Sequence, residues 1–211
     1  MSEAPRDLGI DAGLWKSRRI PTFRGRHRKG RYRLGLIKGL AKKHKDAKKL
    51  VATGAKPQLI WGHTAKGCAP STLRIVRGAM ANASRIWKPG GCTTTAIAIT
   101  WGEKKDPMFE LRNQTLQQWF AIAPGLAGQT MLLNSVWEQQ RQLIAGPHRW
   151  RRVNNHLQAV IATGVDLGWD MQAPYRWKDR AGHTYEFDVN DPTLAEQFTD
   201  HLAEQVRPAL W

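Results

Sequence analysis

Cysteine is scarce in this chain, at two in 211 residues. Cys68 and Cys92 stand apart, with no Cys-x-x-Cys or His-x-x-x-His pair beside them, so two reduced thiols are expected rather than a disulfide framework. A zinc site would have to join His63, Cys68 and Cys92 to one of His148, His156 or His183, a set without metal-motif spacing. Long apolar runs are missing too. Those around Ala96–Trp101 and Met131–Leu133 fall far short of the roughly 20 residues a spanning helix needs, so no membrane partner is expected. The first dozen residues are polar and show no secretory signal, which points to an intracellular site, nucleus or organelle. There is no P-loop, Gly-x-Ser-x-Gly, His-Glu-x-x-His or adjacent Asp-Asp pair. The expectation is therefore no catalytic residue, no metal and no cofactor. Glu186, Asp188 and Asp191 crowd together, and Asp7 and Asp11 lie near the N-terminus, leaving a metal-dependent nuclease as the weakest reading.

Acids are also few, 17 against 33 Lys and Arg, for a formal charge of +16. A hydrophobic content of 41% is enough to fold, so the charge is carried by a folded protein and calls for a polyanionic partner. Its distribution is uneven. Residues 1–50 hold sixteen basic residues and four acids, a net of +12, whereas 153–211 hold four and nine, a net of −5. A binding front and a structural back are expected.

Periodicity makes the chain mainly α, a helical body with a short N-terminal β element and a C-terminal β-hairpin followed by a helix. Short β pieces flank the turn signal Asp11-Ala12-Gly13, and Thr22 can cap a long basic helix to about Lys43. Phe23, His27, Gly30, Leu34, Ile37 and Ala41 form its apolar stripe, with Arg24, Arg28 and Arg31 to one side and Arg26, Lys29 and Arg33 on the other. Further helices are expected over Ala47–Thr53, capped by Asp46 and stopped by Gly54, over Gln58–Thr64, and over Ser71–Trp87, buried along Leu73, Val76, Met80 and Ala83; Thr93–Trp101 reads equally as strand or helix. Asp106-Pro107 opens another helix, with Met108, Leu111, Thr115, Trp119 and Ile122 as its stripe, running to Pro124-Gly125. Thr130–Ala145 follows, burying Leu132, Leu133, Val136, Trp137 and Leu143, and then a helix ending at Gly168. Pro174–Lys178 and His183–Phe187 read as the hairpin, and Asp191-Pro192 starts a last helix with Leu194, Phe198, Leu202 and Val206. The organisation expected is 1–50, basic hairpin and helix; 51–104, helical; 105–211, helical body with the hairpin.

The basic front is the strongest functional signal. Arg18, Arg19, Arg24, Arg26, Arg28, Lys29, Arg31 and Arg33 occur with no acid between Arg18 and Leu40, where a merely solvated helix would mix in both signs. The planar guanidinium fork suits phosphate oxygens. A second knot, Arg149, Trp150, Arg151 and Arg152, has an aromatic among arginines: either Trp150 stacks on a base or it packs inward. At least eight of the ten tryptophans read as core anchors, Trp61 among them.

Asp7-Leu8-Gly9-Ile10-Asp11, the basic helix, Lys56-Pro57-Gln58-Leu59-Ile60-Trp61-Gly62-His63 and Ala69-Pro70-Ser71-Thr72-Leu73-Arg74 together resemble the end of a reverse transcriptase of LINE-type (non-LTR) retroelements. Gly146-Pro147, Gly168-Trp169, Pro174–Asp179 and Gly182–Phe187 look like that family's C-terminal extension. The resemblance implies a primer-grip hairpin, a basic thumb helix and a region gripping a template–primer duplex. The family's polymerase aspartates belong to the palm upstream, so it implies no polymerase here. Nucleic acid is the expected partner, RNA ahead of DNA. The alternative is a structural RNA-binding component of a ribonucleoprotein such as an organellar ribosome, with other proteins as partners.

Overall fold

The computed structural model describes residues 6–7, 10–11, 21–188, 190–191, 193, 196 and 203–207, with side chains from 21 onward. Two short strands, β1 (Arg6–Asp7) and β2 (Ile10–Asp11), pair antiparallel with each other. This pairing lies within the first expected β piece and its flanks; Ala12 and Gly13 of the expected turn, and Arg19 and Ile20 of the second β piece, lie outside the described residues. Helix α1 spans Pro21–Ala41. Pro21, whose ring presets a helical φ and whose missing N–H costs nothing there, starts it one residue ahead of the expected cap Thr22. Its buried line is the expected one, Gly30, Leu34, Ile37 and Ala41, with Phe23 and His27 half-buried.

The segment after α1 departs from expectation. Asp46 caps nothing; it pairs with Lys49 at 3.0 Å on the surface. A 3-10 turn (Lys45–Lys48) leads into a π-turn (Val51–Ala55) and directly into α2 (Lys56–Ile60). Gly54 does not stop the chain because Val51, Ala55 and Leu59, four residues apart, are all 0% exposed, and their burial carries the helix past it. The expected helix over Gln58–Thr64 is instead cut at Gly62 (φ 79°), which sets off α3 (His63–Lys66).

Helix α4 (Pro70–Ala83) buries Leu73, Val76, Met80 and Ala83 as expected, but ends before Trp87. The Ser84 hydroxyl donates to the Ala81 carbonyl at 2.7 Å and accepts from the Trp87 amide at 3.3 Å, replacing helix bonds with a local turn. Thr93–Trp101 is helix α5. Its β-branched residues are overridden by burial of Ala96 and Ile97 against α4.

Helix α6 (Pro107–Ile122) is capped by the Asp106 carboxylate, which accepts from the Met108 amide at 2.8 Å. It buries Phe109, Leu116 and Phe120 besides the expected Leu111, Thr115 and Trp119, and so packs on two sides. Pro124-Gly125 extends it as a 3-10 turn rather than ending it. Helix α7 (Thr130–Leu143) buries only Leu133 and Trp137. Leu132 and Leu143 are 60% and 51% exposed, contrary to expectation, because α7 covers one edge of the body and needs only a narrow face. Helix α8 (His156–Asp166) is buried continuously from Gln158 to Gly164 and forms the centre of the second core.

The C-terminal sheet has three strands where two were expected: β3 (Asp170–Ala173), β4 (Arg176–Lys178) and β5 (Thr184–Glu186), antiparallel in that order. β3 escapes a pattern reading because Met171 is its one buried residue. The Trp119 and Trp137 indoles donate to the Pro174 and Met171 carbonyls, each at 2.9 Å, tying the sheet to α6 and α7. Residues 203–206 are helical and Val206 is buried. Leu194, Phe198 and Leu202, assigned to the final helix, lie outside the described residues.

Two large hydrophobic clusters result among the described residues, one joining α1, α2, α4 and α5, the other α6, α7, α8 and the sheet, and a small third one of Cys68, Leu73 and Leu111 lies between α4 and α6. Polar locks hold them together. Arg77 on α4 pairs with Asp106 at 2.9 Å, and buried Lys56 on α2 pairs with Glu110 on α6. His63 places its two ring nitrogens against the Ile60 carbonyl and Gln114, each at 2.7 Å, which occupies both positions a zinc ion would need. Cys68 is buried, Cys92 exposed, and they are not bonded.

The glycines of α1 differ in kind. A Cβ on Gly30 would stand 2.6 Å from Leu59 Cγ, so the close crossing of α1 and α2 requires glycine there; Gly35 has nothing within 4 Å. Gly35→Ala is expected to stabilise the fold by about 0.8–1 kcal/mol through helix propensity alone. Gly30→Ala should lower stability despite the same propensity gain. Thermal melts of the two variants check this, and melting shifts of the same sign would contradict the crossing.

Candidate nucleic-acid interface

Arg24, Arg28 and Arg31 recur at steps of four and three, which sets them one above another along a helix flank, about 6 Å between the first two. All three are exposed and line a groove of about 990 Å³. The first two turns of α4, with Ser71, Thr72 and Ile75, also line it, as do Trp150 and Arg151. Two basic segments far apart in sequence therefore meet at one site. Among the described lining residues four are arginines and none is Asp or Glu.

The remaining candidates disperse. Lys29 and Arg33 line a neighbouring groove of about 500 Å³ with Leu36 and Gln58. Arg26 turns away, its guanidinium 5.8 Å from the centre of the Trp61 ring. Trp61 is itself 53% exposed, so it is no core anchor; Trp119, Trp137, Trp169 and Trp177 are. Arg149 pairs with Asp166 at 2.8 Å, and Arg152 donates to the Leu143 and Ala145 carbonyls at 3.2 and 3.1 Å, finishing α7. Arg18 and Arg19 lie outside the described residues.

Trp150 is held in place. Its Nε1 donates to Asp166 at 2.7 Å, and its ring lies against Gly67, where an added Cβ would come within 2.9 Å of it. It forms a wall of the groove rather than a free platform. Trp150→Phe keeps the wall but removes the bond to a carboxylate, and should destabilise the fold by about 1.5–3 kcal/mol. Affinity for all nucleic acids should change together; a loss confined to single strands would show that Trp150 stacks on a base.

The electrostatics are one-sided. The ion pairs among the described residues all lie outside α1, and α1 has no acid in its first turn. Like charges at these spacings, near a helix N-terminus, oppose the helix by a few tenths of a kcal/mol each. His27, stacked on Phe23 with ring centres 5.9 Å apart, faces the same groove. Burial and then the Arg31 charge lower its pKa from the ordinary histidine value, so the ring is neutral at pH 7. Tyr32, Phe23, His27 and Ile75 were not picked as site residues from sequence. Tyr32 directly follows Arg31 on the exposed flank, and that adjacency is the one signal that marked it.

Among the described residues, no group of three His, Cys, Asp or Glu is placed to hold a metal ion, and no helix is long and apolar enough to cross a membrane. The fold and groove define a mainly α-helical protein with an arginine-lined cleft. No protein-family model, curated protein or solved structure matches the chain.

Proposed function

We propose that this chain is a non-catalytic nucleic-acid-binding protein whose ligand backbone lies in the arginine-lined groove. The supporting observation is the convergence there of Arg24, Arg28 and Arg31 with Arg151, unaccompanied by any described acid. Four guanidinium groups brought together without counter-charge cost the free protein repulsion that a polyanion relieves. The reading agrees with the gripping, non-polymerase role that the reverse-transcriptase resemblance implies.

Two linked measurements test it. Log affinity should fall linearly with log salt, at a slope near −5 if about six phosphates of a duplex are neutralised. Nucleic acid at about a hundred times its Kd should also add roughly 2.7 kcal/mol to folding stability, visible as a rise in Tm. Affinity that ignores salt, or a Tm unmoved by saturating nucleic acid, would refute the proposal.

A further inference from the structure

The basic half of α1 is flanked by two grooves, and Arg28 and Tyr32 belong to both. Tyr32 is 70% exposed, so its ring stands as a ridge between two concave, cation-lined spaces. A lone exposed aromatic is ordinary on a protein surface. One placed on the divide between two grooves, with Arg28, Arg31 and Arg33 on the same stretch of helix, has a face available to a flat ligand.

The shape restricts what that ligand is. A duplex is a convex cylinder with its bases stacked inside and only phosphates and base edges outside. Such a surface reaches the arginines on the rim but cannot present a base face to Tyr32. Nor can it fill the first groove down to the half-buried His27. Unpaired nucleotides can do both, because every base has a π-face and the backbone bends freely.

We propose that the ligand is a single strand, or an unpaired loop, laid across Tyr32. One base stacks on the Tyr32 ring and its neighbours fall to either side. Arg24, Arg28, Arg31 and Arg151 hold phosphates along the first groove; Lys29 and Arg33 hold the next along the second. Ser71 and Thr72, which line the same groove, supply hydroxyl donors. This rests on the nucleic-acid reading above and narrows it to unpaired strands, in contrast to the template–primer duplex that the family resemblance implies.

The test is fluorescence anisotropy with the full chain, using a labelled single-stranded RNA of about ten nucleotides and a blunt RNA duplex of the same sequence. The single strand should bind at least about tenfold tighter, with a salt slope near −4 if six phosphates are engaged. Tyr32→Ala should weaken single-strand binding by about 5- to 150-fold and leave duplex binding nearly unchanged, while Tyr32→Phe, which keeps the ring, should bind as the parent does. Because Tyr32 is exposed, both variants should melt with the parent chain. Equal or tighter duplex binding overturns the inference and leaves nucleic-acid binding standing. A preference for single strands that survives Tyr32→Ala overturns the stacking role, and failure of both RNAs to bind overturns the inference together with the reading beneath it.

Discussion

Changing Arg24, Arg28 and Arg31 together to Gln should weaken nucleic-acid binding about a hundredfold, taking roughly 1 kcal/mol, as for a solvent-exposed ion pair, for each arginine–phosphate contact removed. The loss should be similar for unrelated sequences of the same form, because phosphate contacts position a protein without reading bases. The salt slope should flatten by about 2 on a single strand or about 3 on a duplex. The three side chains are exposed and outside every described ion pair, so the triple variant should fold and melt no lower than the parent. Relief of their mutual repulsion works in the same direction. Normal affinity in this variant would remove α1 from the interface, and with it the proposed function.

The largest loss of stability is expected from Trp177→Ala. Trp177 is 1% exposed and lies 5.1 Å from both the Phe120 and Phe187 rings and 6.2 Å from Trp169, centre to centre. Removing it opens a cavity where α6 meets the sheet, at a cost of about 3–5 kcal/mol. In a chain of this size that corresponds to a Tm lower by roughly 6–20 °C. Trp177→Phe should cost much less. The Trp177 Nε1 is buried without a hydrogen-bond partner, so the substitution also removes an unsatisfied donor. Trp150 packs against the same cluster, so loosening it displaces the wall next to Arg151, and affinity should fall along with stability. Two variants with equal melting temperatures would refute the aromatic-core account.

Helical class was legible wherever the pattern was strong and its cause local. The stripe of α1, the Asp106-Pro107 start of α6 and the hairpin strands are written in neighbouring residues. Errors fell where tertiary burial overrode a local signal. Gly54 reads as a stop until Val51, Ala55 and Leu59 are seen buried together. Thr93–Trp101 looks half like a strand until Ala96 and Ile97 are placed against α4. Leu132 and Leu143 look like core residues, and only the position of α7 at the edge of the body leaves them exposed.

The same division runs through the candidate site. The sequence by itself determined that a strongly basic, acid-free segment would be helical. It also determined that Arg24, Arg28 and Arg31 would share a flank, since a repeat of 3.6 residues admits no other arrangement. Only the tertiary structure decided that Arg151 joins them, that Arg149 and Arg152 are spent on Asp166 and the end of α7, and that Trp150 is a wall. It also set Tyr32 between two grooves. Those outcomes depend on where α8 comes to rest against α3 and α6, which brings the loop before it to the groove beside α1 and α4. That docking is set by cores and buried ion pairs joining residues dozens of positions apart, which no local pattern encodes.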